Sequence, residues 1–171
     1  MRELLLFRHA KSRWDEPGVV DHQRDLAPRG IAAAPRMGLL LQSRSLTPDL
    51  ALVSTAKRAM RTWELAAAEL DRPPIVRLEE RIYDAPPERL LSIVRAQEPT
   101  VRRLLLVGHN PGFEMLTAQL SGPGSVTGST RDGEKFPTAA IAWFQLDVER
   151  WDEVTPGRAR LAGFFKPRDL D

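Results

Sequence analysis

The 171-residue chain has no cysteine, which excludes disulfide scaffolds, thiolate-bound zinc and cysteine nucleophiles together and fits a reducing compartment. Long apolar runs are missing as well. Leu4 to Phe7 is too short for the core of a signal peptide, and no stretch approaches the roughly 20 apolar residues of a spanning helix. A cytoplasmic protein without a membrane partner is the expectation. Charge of one sign is also lacking: 25 Lys and Arg face 23 Asp and Glu, for a net charge of +2. Arginine supplies 21 of those cations, and it is scattered among Glu and Asp rather than gathered into a stripe with interleaved aromatics. No nucleic-acid partner is implied.

What is present describes an ordinary folded domain. Hydrophobic residues make up 42% and charged residues 28%, close to the globular average, so disordered and fibrous readings fall away. Residues 1–171 are read as one domain, long enough to bury its own core. Leu4 to Phe7, Leu50 to Val53 and Leu104 to Val107 are continuous apolar runs of the kind that strands show when both faces of a parallel sheet are covered. Helical spacing follows from Arg29 to about Ser43, where Ile31, Ala34, Met37, Leu40 and Leu41 form the apolar stripe and Pro35 is expected to bend it. Further helices are predicted over Ala56 to Leu70, Glu88 to Ala96 and Phe113 to Leu120. Ile75 to Leu78 reads as an edge strand. Residues 121 to 135, rich in Gly, Ser and Thr, read as a mobile surface loop. Ala139 to Leu146 and Arg160 to Phe165 then finish the chain as strands with no helix between them, which makes one edge of the sheet mixed. The class is α/β, a three-layer α/β/α arrangement around a mostly parallel sheet.

Ligands of open α/β sheets bind beyond the carboxyl ends of the strands, where loops and helix starts aim their donors outward. Three junctions fall there: Arg8-His9 after the first run, Ser54 to Arg58 after the second, and Gly108-His109-Asn110 after the third. Two histidines 100 positions apart and two arginines then share one edge. That set suits an oxyanion, because a guanidinium fork matches phosphate oxygens while a histidine attacks as a neutral ring or donates when protonated. Taken singly, each histidine is ordinarily a satisfied strand end, and His22, in a polar loop, keeps that plain reading. Arg58 sits against the dipole at a helix start, a cost that a nearby anion would offset.

Leu6 to Ser12, with Val107 to Gly112, resembles the histidine phosphatase superfamily, which also contains the cofactor-dependent phosphoglycerate mutases. Asp21 to Leu26 followed by Arg29-Gly30, the segment Ser54 to Thr62, and Pro137-Thr138-Ala139 extend the resemblance to the small SixA-type phosphohistidine phosphatases, over about residues 3 to 166. The resemblance implies a phosphoglycerate mutase-like fold. It makes His9 a nucleophile that carries a phosphohistidine intermediate, with Arg8, Arg58 and His109 holding the phosphoryl oxygens and Arg24 as a further cation or a brace for its loop. Glu80, in Glu79 to Tyr83, stands where the mutase branch carries its proton donor. No metal and no cofactor are implied. His9 neutral and His109 protonated would require their pKa values to be pushed apart. Ala10 and Lys11 are similar to the phosphatase rather than the mutase pattern, and the short chain leaves room for only a small cap over residues 80 to 99.

The expected substrate is a phosphohistidine on a protein, with small phosphorylated metabolites such as sugar phosphates as the alternative within the same chemistry. Two other classes stand beside it. One is a non-catalytic module that binds phosphorylated partners through the same arginines. The other is a metallohydrolase built on His9, His22 and His109 with neighbouring aspartates. No oligomeric interface is read from these residues.

Overall fold

The computed structural model describes residues 1–126 and 136–170. Its centre is one six-stranded sheet. The strands are β1 (Arg2–Arg8), β2 (Leu50–Val53), β3 (Ile75–Leu78), β4 (Arg103–Gly108), β5 (Ile141–Leu146) and β6 (Arg160–Phe165), in the spatial order β3-β2-β4-β1-β5-β6. The first four are parallel, and β5 and β6 join antiparallel at one side. The helices are α1 (Pro28–Ser43), α2 (Lys57–Ala67), α3 (Pro87–Arg95) and α4 (Gly112–Leu120). Among the described residues no helix is long and apolar enough to cross a membrane.

The apolar runs form strands because the helices cover both faces of the sheet. Leu5, Phe7, Ala51, Val53, Leu105 and Val107 pack with α1 and α2 on one side. Leu4, Leu6, Leu50, Leu52, Leu104 and Leu106 pack with α3 and α4 on the other. Side chains alternate between faces along a strand, so only an unbroken apolar run serves both layers. Leu4 to Phe7 have no exposed surface at all, and each such side chain contributes roughly 1.5–3 kcal/mol by leaving water. The three-layer α/β/α class read from the sequence is what the chain forms, with the mixed edge at β5 and β6.

Several boundaries differ for identifiable reasons. The stripe of α1 is Gly30, Ala34, Met37, Gly38, Leu40 and Leu41, whereas Ile31, placed on it by spacing, is 41% exposed. Glycine takes that place because a Cβ on Gly30 would stand 2.2 Å from the Lys11 carbonyl, so only a bare backbone lets α1 pack on the chain leaving β1. The helix runs on through Pro35. Strand β5 starts two residues later than predicted because Ala139 adopts φ 63° and donates its N–H to the carbonyls of Arg8 and His9. Ser121 to Val126, read as unpacked, are tied along β6: Gly122 N–H donates to Ala159 O, Val126 N–H to Leu161 O, and Leu161 N–H to Ser125 Oγ. The rest of that predicted loop, residues 127–135, lies outside the described residues.

Register positions the functional edge. Arg8 pairs with Gly108 and Val53 with Val107, so the residues that follow in each strand, His9, Ser54 and His109, leave the sheet side by side. Adjacent strands are about 4.8 Å apart. A separation of 100 positions in the chain thus becomes one strand spacing.

Candidate active site

His9 and His109 face each other with ring centroids 5.2 Å apart. Both are buried, at 7% and 8% exposed. They line a cavity of about 200 Å³ together with Arg8, Arg24, Arg58 and Asn110. Of the residues singled out from the sequence, five of the six, Arg8, His9, Arg24, Arg58 and His109, therefore share one concavity. Glu80 does not belong to it. It starts the 3₁₀ turn Glu80–Ile82, is exposed and is absent from the lining, because the turn sends Tyr83 inward instead. The tyrosine ring stacks edge-on against His109 at 5.5 Å.

The state of His9 follows from one bond. Its Nδ1 lies 2.8 Å from the Ala10 carbonyl, and a carbonyl only accepts, so Nδ1 carries the proton and Nε2 keeps an in-plane lone pair. Burial lowers the pKa of the ring well below its ordinary value, and His109, Arg58 and Arg8 push it the same way, against the stabilising bond to Ala10. His9 is neutral at pH 7, in the tautomer a nucleophile requires.

His109 is pushed down to about 3, first by burial and then by the Arg58 guanidinium, with Asp21 partly opposing. The expected separation of the two pKa values is therefore absent in the protein by itself: both rings are driven to neutrality by the same burial and the same cations. His109 Nε2 shares a 2.7 Å hydrogen bond with Ser54 Oγ. Its Nδ1 is buried without a hydrogen-bond partner among the described residues, as is Arg58 Nε.

Asp21 organises the cations. Its Oδ2 accepts from Arg58 Nη2 at 3.0 Å and from the Tyr83 hydroxyl at 2.5 Å, its carbonyl accepts from Arg58 Nη1 at 2.7 Å, and Oδ1 accepts from Arg24 Nε at 3.1 Å. The Tyr83 bond and the two guanidiniums hold its carboxyl below the usual carboxylate range, and the same bond to Asp21 raises the Tyr83 phenol. Arg24 both lines the cavity and braces its loop: Nη1 donates to Ser12 Oγ at 2.7 Å and Arg13 O at 2.9 Å, and its guanidinium lies 3.6 Å over the Trp14 ring. Arg8 Nη1 donates to Phe136 O at 2.7 Å, the carbonyl that also accepts from Asn110 Nδ2.

A second brace is internal. The fully buried Thr62 accepts from Ala10 N–H at 2.9 Å and donates to Arg58 O at 2.7 Å, which ties the exit of β1 to the first turn of α2. Sequence reasoning passed over Asp21, Tyr83, Ser54 and Thr62 as site residues. His22 is held from two sides: Gln23 Nε2 of its own loop donates to Nδ1, and Nε2 meets Thr55 Oγ1 of the junction after β2 at 2.9 Å. Among the described residues no group of three His, Asp or Glu side chains is arranged to hold a metal ion.

The arrangement can place a tetrahedral dianion among guanidiniums beside a neutral, correctly protonated imidazole. Residues 4–86 match the sequence profile of the histidine phosphatase superfamily, branch 1. An uncharacterised protein of Mycobacterium tuberculosis is 39% identical over 164 residues, covering 94% of this chain and 99% of that protein. The crystal structure of a protein from Agrobacterium tumefaciens, provisionally named phosphohistidine phosphatase SixA, is 31% identical with a TM-score of 0.82 and covers 97% of this chain and 98% of that one. Another protein given the same provisional name, from Nakamurella multipartitia, is 25% identical with a TM-score of 0.81, covering 97% and 96%.

Proposed function

The chain belongs to the histidine phosphatase superfamily, and from that membership we propose a phosphatase that takes a phosphoryl group onto His9 and passes it to water, with phosphohistidine of a protein as substrate. The observation that carries the proposal is a neutral His9 whose Nε2 lone pair is free, set 5.2 Å from a second imidazole in a cavity walled by guanidiniums.

In the first step Nε2 of His9 attacks phosphorus, and the bond from phosphorus to the substrate nitrogen breaks. The electron pair of that bond leaves with the substrate imidazole, which takes a proton from solvent. In the second step water attacks the phosphorylated His9, giving inorganic phosphate and the original ring. Little covalent work falls to the other residues, because phosphoryl transfer is mainly positioning and stabilisation of charge on the equatorial oxygens. Arg8, Arg58 and His109 serve those oxygens. Arg58 Nε and His109 Nδ1, buried without partners among the described residues, are groups that phosphoryl oxygens can satisfy. Arg24 adds charge at the rim and keeps Trp14 in place. An imidazole leaves readily once protonated, so this substrate needs no dedicated acid, in keeping with Glu80 standing outside the cavity. No step needs a metal, and turnover is expected to survive exhaustive chelation.

The test is a trapping experiment. Brief mixing with a ³²P-phosphohistidine protein, followed by alkaline quench, is expected to leave label on His9, and His9→Ala is expected to lose both label and turnover. Turnover retained in His9→Ala overturns the proposal. A competition panel of a phosphohistidine protein, sugar phosphates and an aryl phosphate addresses the substrate, since a preference of at least tenfold in kcat/KM corresponds to about 1.4 kcal/mol of transition-state binding.

A further inference from the structure

A second cavity, of about 300 Å³, opens beside the first and shares Arg8, Lys11 and Thr138 with it. Its other walls come from three separate places: Arg29 and Ala33 of α1, Pro137 before β5, and Lys166 to Arg168 after β6. Five of its described lining residues, Arg8, Lys11, Arg29, Lys166 and Arg168, are cationic, and none is acidic. Lys166 is 6% exposed, so one of these charges is held inside the fold. The close approach of Gly30 to Lys11 brings Arg29 next to Lys11, and the N–H of Ala139, bonded to the carbonyls of Arg8 and His9, fixes Thr138 on the wall between the cavities. Like charges from three segments, Arg8 and Lys11 at the exit of β1, Arg29 of α1, and Lys166 with Arg168 after β6, converge on one concavity, where their fields add and favour a bound anion.

We propose that this second cavity is an anion subsite, which takes a further phosphate or carboxylate group carried by the same substrate whose phosphoryl group goes to His9. The proposal rests on the phosphatase reading above and deepens it, because it makes the preferred substrate at least doubly anionic. The second anion has two sources: an acidic side chain flanking a phosphohistidine, or a second phosphate or carboxylate on a small metabolite. Arg8 and Lys11 line both cavities, so a substrate bridging them would be gripped at both ends by shared cations.

The experiment separates the subsite from the chemistry. Calorimetry on His9→Ala, which removes turnover, would compare phenyl phosphate with alkanediol bisphosphates of two to six carbons. At least one bisphosphate is expected to bind ten times more tightly than phenyl phosphate, and Arg29→Ala/Arg168→Ala added to that background is expected to erase the advantage while leaving phenyl phosphate within twofold. In otherwise wild-type protein, the same double substitution would be assayed on phosphohistidine peptides flanked by glutamates or by serines, where a KM rise of at least tenfold confined to the glutamate peptide points to a protein source. A bisphosphate advantage without a peptide effect points to a metabolite. Arg168→Glu is a second variant at an exposed position, expected to act in the same direction. The subsite is overturned if neither bisphosphates nor acidic peptides show an advantage, or if the advantage survives the substitutions. Failure of wild-type protein to turn over any phosphoryl substrate instead strikes the phosphatase reading, while the calorimetry still reads the subsite.

Discussion

Binding of a dianion at the two imidazoles should draw a proton from solution. His109 sits at about 3, so at pH 6 the ring carries almost no proton. Its lowered value comes from burial and from Arg58, with only Asp21 opposing. A dianion resting against both rings, whose centroids are 5.2 Å apart, would lie roughly 5 Å from the centre of His109. At an effective dielectric of about 20, two charges at that distance are worth ~7 kcal/mol, or about five pKa units. That is enough to carry one ring of the coupled pair past neutrality. Sulfate is the suitable probe because it does not itself titrate near pH 6. Calorimetric titration at pH 6 in buffers of different ionisation enthalpy is expected to show uptake approaching one proton per sulfate. Affinity would then rise about tenfold for each unit that the pH falls within the window, by linkage. His109→Gln should bind more weakly and take up little or no proton. Saturable sulfate binding with uptake below about 0.2 proton, or with uptake unchanged in His109→Gln, would refute the reasoning.

Three further outcomes are expected. Both histidines have folded pKa values below their unfolded ones, so the unfolded chain binds more protons and stability, fully present above about pH 6.5, is lost as the pH falls toward 3; urea denaturation of wild type at pH 7.5 and 4.5 should show a lower midpoint at the acid value, and the difference should shrink in His109→Gln. Thr62→Val keeps the shape of the side chain but leaves Ala10 N–H unpaired in a buried place, which should cost about 1–3 kcal/mol of stability and lower kcat/KM through a displaced Arg58. Glu80→Gln should change turnover of a phosphohistidine substrate by less than twofold, and a loss beyond tenfold in kcat would return this exposed carboxylate to the role of proton donor.

How much of this was legible in the sequence depended on what kind of signal each residue carried. Leu4 to Phe7 and Leu104 to Val107 announce central strands because burial on two faces demands unbroken apolar runs, and those strands place His9 and His109 at one edge. Arg58 drew attention because a cation at a helix start works against the dipole. Asp21 and Tyr83 carried no such mark: a loop aspartate and a tyrosine after a charged turn have no periodicity, and only the meeting of two distant loops on Arg58 gives them a purpose. Glu80 drew the eye as a carboxylate of familiar type, but the 3₁₀ turn it begins turns its neighbour three positions on toward His109. Ile31 misled because apolar spacing could not foresee that a glycine would be needed where the helix meets the Lys11 backbone.

The charges around the imidazoles also explain why Asp21 belongs beside the proposed phosphoryl site at all. Arg8, Arg24 and Arg58 line a small buried space, and guanidiniums so placed repel one another and rotate away unless something anchors them. Asp21 anchors two of the three, through Arg58 at 3.0 Å and Arg24 at 3.1 Å, while Phe136 O holds Arg8. The carboxylate weakens the field that an incoming dianion feels, yet its own side chain is half exposed, so solvent screens that repulsion more than it screens the buried Arg58. Orientation is thus secured at a modest electrostatic cost. A stronger anchor placed deeper would compete with phosphoryl oxygens for the same donors, whereas an anchor at the rim leaves Arg58 Nε open to the proposed substrate.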